Sequence, residues 1–153
     1  MSKADLDRAA EARALEDTAR TAGADRPALL SQAAEHWTAA GEHAHAVDLL
    51  YDVAALTGDP ADAASPVLAR ALFAAGREAE GRAVADAAAR HCAETGDWRE
   101  WEQLAEHLDL AGRPTDALDA LDRALALVLC LPEPDAPLPD APALRPLSHL
   151  TEL

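Results

Sequence analysis

The stretch "AAGREAEGRAV", residues 74–84, contains the turn that decides the fold. Related stretches occur earlier and later in the chain, "AAGEHAHAV" around Gly41 and "LAGRPTDAL" around Gly112. Together with Gly76, these glycines form a series with intervals of 35 and 36 residues. Self-similarity at such an interval indicates that the chain is built from repeated supersecondary units.

A second series of glycines lies between the members of the first. Gly23, Gly58 and Gly96 occur in "TAGAD", "LTGDP" and "ETGDW", at intervals of 35 and 38 residues. Two interleaved series with one period predict two turns per unit, and therefore two helices of about 15 residues between them. Each glycine is expected just after a helix end, where a positive φ is favoured.

Signals for helix starts agree with the glycine series. Pro60, Pro66 and Pro114 stand where the first turn of a helix tolerates proline. Asp97 and Glu100 predict a capping box, in its aspartate form. The predicted helices cover about 3–22, 26–40, 43–57, 61–75, 78–95, 97–111 and 114–131.

Composition supports a fold made of helices alone. Half of the 153 residues are hydrophobic, many of them alanine, and only 3% are aromatic. Runs with the period of two that strands show are absent, so we expect an all-α protein whose helices meet through small side chains.

The pattern of apolar residues resembles that of the tetratricopeptide repeat family. The first-helix motif of that family is similar to the run formed by Trp101, Leu104, Ala105 and Leu108. In the second unit the likeness is weaker, because Ser65 replaces the large aromatic residue and Pro66 should shorten or kink the helix. The small residue expected in the second helix of each unit is Ala46, Gly81 or Ala117.

The resemblance implies an architecture for the whole chain. It implies a right-handed α-solenoid of antiparallel helix pairs with about seven helices. A helix over 3–22 would precede repeats at about 27–60, 61–96 and 97–131, which together form one domain over 1–131. Residues 132–153 would follow as a proline-rich linker and a short tail that contains leucines.

The resemblance also implies a function and the residues for it. The first helices of such a solenoid line a concave groove that binds a peptide or a helix of a partner. The corresponding residues here are Ser31, Gln32, Glu35, Thr38, Arg70, Phe73, Arg99, Glu102, Gln103, Glu106 and Asp109.

The charge of the chain restricts its partners. The formal net charge is −15, from 28 acidic and 13 basic residues. This composition argues against nucleic acid and against an anionic membrane as partners, because both are bound by clustered Lys and Arg. A mostly acidic groove favours a basic segment of a protein, although solubility alone is an equally good explanation of the charge.

We find no motif for catalysis, a metal or a cofactor in the sequence. His43 and His45 are two residues apart, a spacing that does not share a helix face, and "HExxH" does not occur. Neither a nucleophile elbow nor a glycine-rich phosphate loop is present. We therefore expect a protein that is not an enzyme and that carries no cofactor.

Cysteine usage and hydropathy predict a cytoplasmic location. Cys92 and Cys130 lie far apart within helical patterns, which is typical of free thiols in a reducing compartment. The start of the sequence has no apolar leader pattern, and no run reaches the roughly 20 residues that a membrane span needs.

The last predicted helix ends in "ALALVLCL", residues 124–131, with apolar residues all round it. Since no further repeat follows, we expect a face for association there. The tail, a second copy in a homodimer, or another protein could cover this face. The residues of the face are Leu125, Val128, Leu129 and Leu131, and those of the tail are Leu144, Leu147, Leu150 and Leu153.

These patterns predict a protein-interaction module or scaffold that does not catalyse a reaction. It would bind a partner segment in its groove and associate or dock through its C-terminal helix or tail. Two alternatives remain open. The chain could be a regulatory protein in signalling or transcription that acts through another protein, or an accessory or cargo protein docked to a larger assembly by its tail.

Overall fold

The computed structural model describes residues 1–129. These residues form helices and turns, and none of them lies in a strand, so the described part of the chain is all-α as predicted. The predictions for Leu131 and for the tail residues Leu144, Leu147, Leu150 and Leu153 lie outside the described residues.

Seven helices of nine or more residues and one short helix follow one another along residues 1–129, with a 3₁₀ turn at Gly23–Asp25. The helices are α1 Lys3–Ala19, α2 Arg26–Ala39, α3 His43–Thr57, α4 Pro60–Ala63, α5 Pro66–Ala74, α6 Glu78–Thr95, α7 Trp98–Leu110 and α8 Pro114–Val128. We refer to α2, α5 and α7 as the first helices, and to α3, α6 and α8 as the second helices, of the three predicted units.

The glycines lie at helix ends, as predicted. All six glycines of the two series have a positive φ, between 57° and 87°. At Gly41 the amide donates to the carbonyl of Thr38 (3.1 Å), and the amide of Glu42 donates to that of Trp37 (2.9 Å). This pair of bonds is a Schellman motif, and the same pair recurs at Gly76 and Gly112. Each first helix is therefore closed by the same turn.

The helix predicted over 61–75 is divided into α4 and α5. Pro66 has no N–H to donate and disfavours helical backbone at the preceding residue, and Ser65 has an extended ψ of 133°. The Ser65 hydroxyl then accepts a hydrogen bond from the amide of Val67 (3.2 Å), which caps the new helix. The expected shortening at Pro66 is thus confirmed.

The predicted capping box at the start of α7 is wrong, because neither of its two bonds between a side chain and the backbone joins Asp97 and Glu100. Asp97 does cap the helix, since its carboxylate accepts a hydrogen bond from the amide of Arg99 (2.9 Å). The Glu100 carboxylate instead accepts from the hydroxyl of Thr95 (2.6 Å). A nearby side-chain hydroxyl at the end of α6 therefore competes successfully with the backbone N–H at the cap.

Two apolar clusters form the core, and α5 contributes to both. Leu68 and Leu72 of α5 pack with residues of α1, α2 and α3 in the N-terminal core. Ala69 and Phe73 pack with residues of α6, α7 and α8 in the C-terminal core. The main contacts are between helices that are neighbours along the chain, and α5 also contacts α3 and α7. The shortest first helix is thus the one that joins the two halves.

Small residues lie where the second helices approach the first. Ala46, Gly81 and Ala117 are all buried, which confirms the predicted positions. At Gly81 a Cβ atom would lie 2.8 Å from Cδ1 of Phe73. This distance leaves no room for a side chain, so α6 can pack against the Phe73 ring only because residue 81 is glycine.

Candidate functional site

The predicted groove residues differ in their accessibility. Most of them are exposed, two are half-buried and two are buried. The exposed ones are Gln32, Glu35, Arg99, Glu102, Gln103, Glu106 and Asp109; Ser31 and Arg70 are half-buried, and Thr38 and Phe73 are buried.

The burial of Thr38 and Phe73 corrects their assignment to the groove. The Thr38 hydroxyl donates to the carbonyl of Ala34 (2.8 Å) within its own helix. The Phe73 ring packs in the C-terminal core and is covered by the Arg113 guanidinium, 4.3 Å from the ring centroid. Both side chains are occupied inside the protein, so neither is available to a partner.

Four of the predicted groove residues line one cleft at the end of the molecule formed by α7 and α8. The cleft has a volume of about 740 Å³ and is open to solvent. Two of its lining residues are buried alanines, and the other residues form a polar wall on α7 and an apolar wall on α8. We call it the terminal cleft; its lining is Glu102, Gln103, Ala105, Glu106 and Asp109 from α7, and Pro114, Ala117, Leu118 and Leu121 from α8.

The apolar wall belongs to a stripe of exposed leucines along α8. Leu118 is 60% exposed, Leu121 44% and Leu125 54%, and Leu129 continues the stripe at the C-terminal end of the helix. Of the predicted association face, Leu125, Val128 and Leu129 are exposed. Sequence reasoning missed Leu118 and Leu121, although intervals of three and four residues from Leu118 to Leu129 were the signal that would have found them.

A second group of the predicted residues surrounds His107 of α7, which is half-buried. Burial lowers the pKa of this imidazole, and Arg70 of α5 lowers it further. Glu106 and Glu35 act in the opposite direction. The Nδ1 atom of His107 has no hydrogen-bond partner among the described residues. Charges from all three first helices therefore act on one side chain.

The remaining groove residues take part in neither group. Arg99 lies over the Trp98 ring, 4.8 Å from its centroid, and close to Asp97 (3.8 Å). Ser31 and Gln32 of α2 are absent from the lining of the terminal cleft as the structure describes it. The residues predicted to line one groove along the three first helices thus fall into two clusters, which share Glu106.

Three arginines, Arg77, Arg82 and Arg113, are paired with carboxylates on the second helices. Arg82 of α6 donates to Asp116 of α8 (3.0 Å), and Arg113 pairs with Glu78. Within residues 1–129, no ion pair involves the three carboxylates of the terminal cleft. The negative charge of the cleft is therefore left without a cation from the described part of the chain.

Residues 1–129 contain neither the arrangement of a metal site nor a helix suited to cross a bilayer. No group of His, Cys, Asp and Glu has the arrangement of a metal site there. None of the described helices combines the length and the apolar character that crossing a bilayer requires. Neither result adds a residue to the candidate site.

Comparisons of the chain with protein family models, with curated proteins and with solved structures find no match.

Proposed function

We propose that this chain is a tetratricopeptide-like, right-handed solenoid of antiparallel helix pairs that serves as a non-enzymatic protein-interaction module. It binds a segment of a partner protein on the face of its first helices, α2, α5 and α7. The repeated closing turns at Gly41, Gly76 and Gly112 support the repeat architecture. The partner-binding role rests on the charge of α7.

A row of unpaired carboxylates on α7 carries the proposal. Glu102, Glu106 and Asp109 are exposed and follow one another at intervals of four and three residues, which places them along one face of the helix. In a chain that pairs Arg77, Arg82 and Arg113 with carboxylates elsewhere, these three stay without an ion pair. A partner that brings Arg or Lys to this face gains charge-assisted hydrogen bonds.

The proposal can be tested with a basic peptide of extended conformation, labelled with a fluorophore. The full chain is titrated into the peptide, and binding is followed by anisotropy. We expect the variant Glu102→Gln/Glu106→Gln/Asp109→Asn to bind at least about tenfold more weakly, because the charge-assisted bonds are lost. Binding should also weaken with added salt.

A variant with the same change of net charge serves as the control. Glu11, Asp52 and Glu94 are exposed and lie on α1, α3 and α6. Amide substitution of these three should change the affinity by less than about twofold. If the two variants weaken binding equally, the affinity for the peptide depends on net charge alone, and the proposed face is wrong.

The predicted cytoplasmic location and the predicted homodimer stay predictions.

A further inference from the structure

We infer that the terminal cleft binds an amphipathic helix of a partner protein, with an apolar stripe that is flanked on one side by Arg or Lys. This inference rests on the proposed function and names the chemistry of the partner. Its distinct element is the leucine stripe of α8, which the binding of a basic segment to α7 does not require.

The exposed leucines of α8 have the spacing of one helix face. Leu118, Leu121 and Leu125 succeed one another at intervals of three and four residues, so they form a continuous ridge along α8. The buried alanines Ala105 of α7 and Ala117 of α8 line the same cleft. A helix lying in the cleft can place apolar residues of the same spacing against both the ridge and these alanines.

The wall of the cleft opposite the leucine ridge is acidic. Glu102, Glu106 and Asp109 run along α7 beside the leucine ridge, in the same cleft. Among the described residues that line it, three are carboxylates and none is basic. A helix seated on the leucines therefore presents one flank to three negative charges, and Lys or Arg on that flank is complementary.

The same charges argue against a second copy as the occupant. The chain has a net charge of −15, and α8 itself carries Asp116, Asp119 and Asp122. Packing α8 of another copy into the cleft would bring acidic residues towards the α7 carboxylates, which is unfavourable. The chain's own segment 143–153 contains leucines, but Arg145 is its one Arg or Lys residue, against Glu152. A foreign basic helix fits the charge of the cleft better than either.

The experiment uses the full chain and a labelled helical peptide of about five turns, with leucines at intervals of three and four and lysines along one flank. Two matched peptides replace the lysines by glutamate or the leucines by serine. We expect each replacement to weaken binding at least about tenfold in fluorescence anisotropy. Equal binding of all three peptides would overturn the inference.

Variants of the chain locate the site. Leu118→Ser/Leu121→Ser should weaken binding at least about tenfold while the circular dichroism and thermal transition stay close to those of the unchanged chain, because neither side chain belongs to the buried core. Leu6→Ser/Leu56→Ser alters two leucines that are also exposed, on α1 and α3, and should have less than about a twofold effect.

The outcomes separate this inference from the proposed function. The leucine variant could keep full affinity for the helical peptide while the amide variant of Glu102, Glu106 and Asp109 loses it. In that case the proposed function is supported and the inference about the leucine stripe is wrong. If neither the extended basic peptide nor the helical peptide binds, both fail.

Two further outcomes would also overturn the inference. The first is a dimer in light scattering that Leu118→Ser/Leu121→Ser converts to monomer, since the cleft would then hold a second copy. The second is an affinity for the peptide that rises about tenfold when the tail leucines are replaced by serine in the full chain, since the tail would then be the occupant.

Discussion

His107 is a titratable group whose setting depends on three helices. Its imidazole lies half-buried on α7, and its pKa is lowered by burial first and by Arg70 of α5 second. Glu106 and Glu35 offset part of this shift without reversing it. The folded chain therefore holds this side chain neutral at a pH where an ordinary histidine is protonated.

The lowered pKa of His107 predicts a loss of stability in mild acid. As the pH falls through about 6.5, the unfolded chain takes up the proton before the folded chain does, so the free energy of unfolding decreases. His107→Gln removes this contribution. We expect the decrease between about pH 7.5 and pH 5.5, measured by urea unfolding, to be smaller in this variant than in the unchanged chain.

His36→Gln is the control for the loss of a half-buried histidine from a first helix, because His36 directly precedes Trp37 on α2 as His107 directly precedes Leu108 on α7. If His107→Gln and the unchanged chain lose the same free energy over this pH range, His107 does not contribute. The pH dependence of the free energy of unfolding that remains in His107→Gln comes from other groups, which titrate in both chains.

Cys92 is predicted to react slowly in the folded protein. The thiol is buried in α6, and burial, with a smaller effect of Glu100, raises its pKa to about 11. Because the thiolate is the reactive form, modification by a disulfide reagent at about pH 8 should be on the order of a hundredfold slower in folded than in unfolded chain. A Cys130→Ser variant isolates the reaction. A similar rate with and without denaturant would show that α6 opens readily at this position.

At the scale of elements, the contact between α5 and α6 depends on Gly81. A Cβ atom there would meet the Phe73 ring, which the Arg113 guanidinium covers from outside. Gly81→Ala gains about 1 kcal/mol of helix propensity but incurs overpacking that costs about 1–3 kcal/mol. We expect a net destabilisation of roughly 1 kcal/mol in urea unfolding, so the close packing outweighs the propensity.

Two other variants test the origin of this effect. Ala83→Gly changes an exposed residue of the same helix and measures the propensity alone, at about 1 kcal/mol. Phe73→Leu makes room for the added methyl group. The loss of stability from Phe73→Leu to Phe73→Leu/Gly81→Ala should therefore be smaller than the loss from the unchanged chain to Gly81→Ala. A cost that Phe73→Leu leaves unchanged would exclude the ring as its cause.

The helix ends could be predicted because local chemistry determines them. The positive φ at Gly41 and the missing N–H of Pro66 act within a few residues, and both had the expected effect. Accessibility could not be predicted in the same way. Whether Phe73 is a core residue and Leu121 an exposed one depends on which helix packs against each, and α8 has no helix after it among residues 1–129.

At the scale of the whole molecule, the N-terminal end of the described chain differs from its middle. The buried residues of α1 are the alanines Ala9, Ala12 and Ala19, whereas α5 buries Leu68 and Leu72 between neighbours. A thin interface stabilises a helix less, because hydrophobic stabilisation follows the apolar area that is buried. We therefore expect α1 to open locally more often than α5.

A polar contact compensates for this thin interface at one position. The carboxylate of Glu16 on α1 accepts a hydrogen bond from the indole N–H of Trp37 and lies 2.7 Å from Nε2 of His45. Arg13 lies over the same indole, 5.3 Å from the ring centroid. These side chains connect α1 to both α2 and α3, so removal of the carboxylate should affect α1 before any other helix.

Hydrogen exchange of the backbone amides measures this directly. In Glu16→Ala we expect the amides of α1 to exchange at least about tenfold faster, while those of α5 keep their protection, because the buried residues of α1 in the N-terminal core are all alanines. Glu11→Ala, at an exposed position of the same helix, should leave both unchanged. If Glu16→Ala accelerates exchange in α1 and α5 equally, the chain opens as one cooperative unit. The helices then do not unfold one at a time from the N-terminal end.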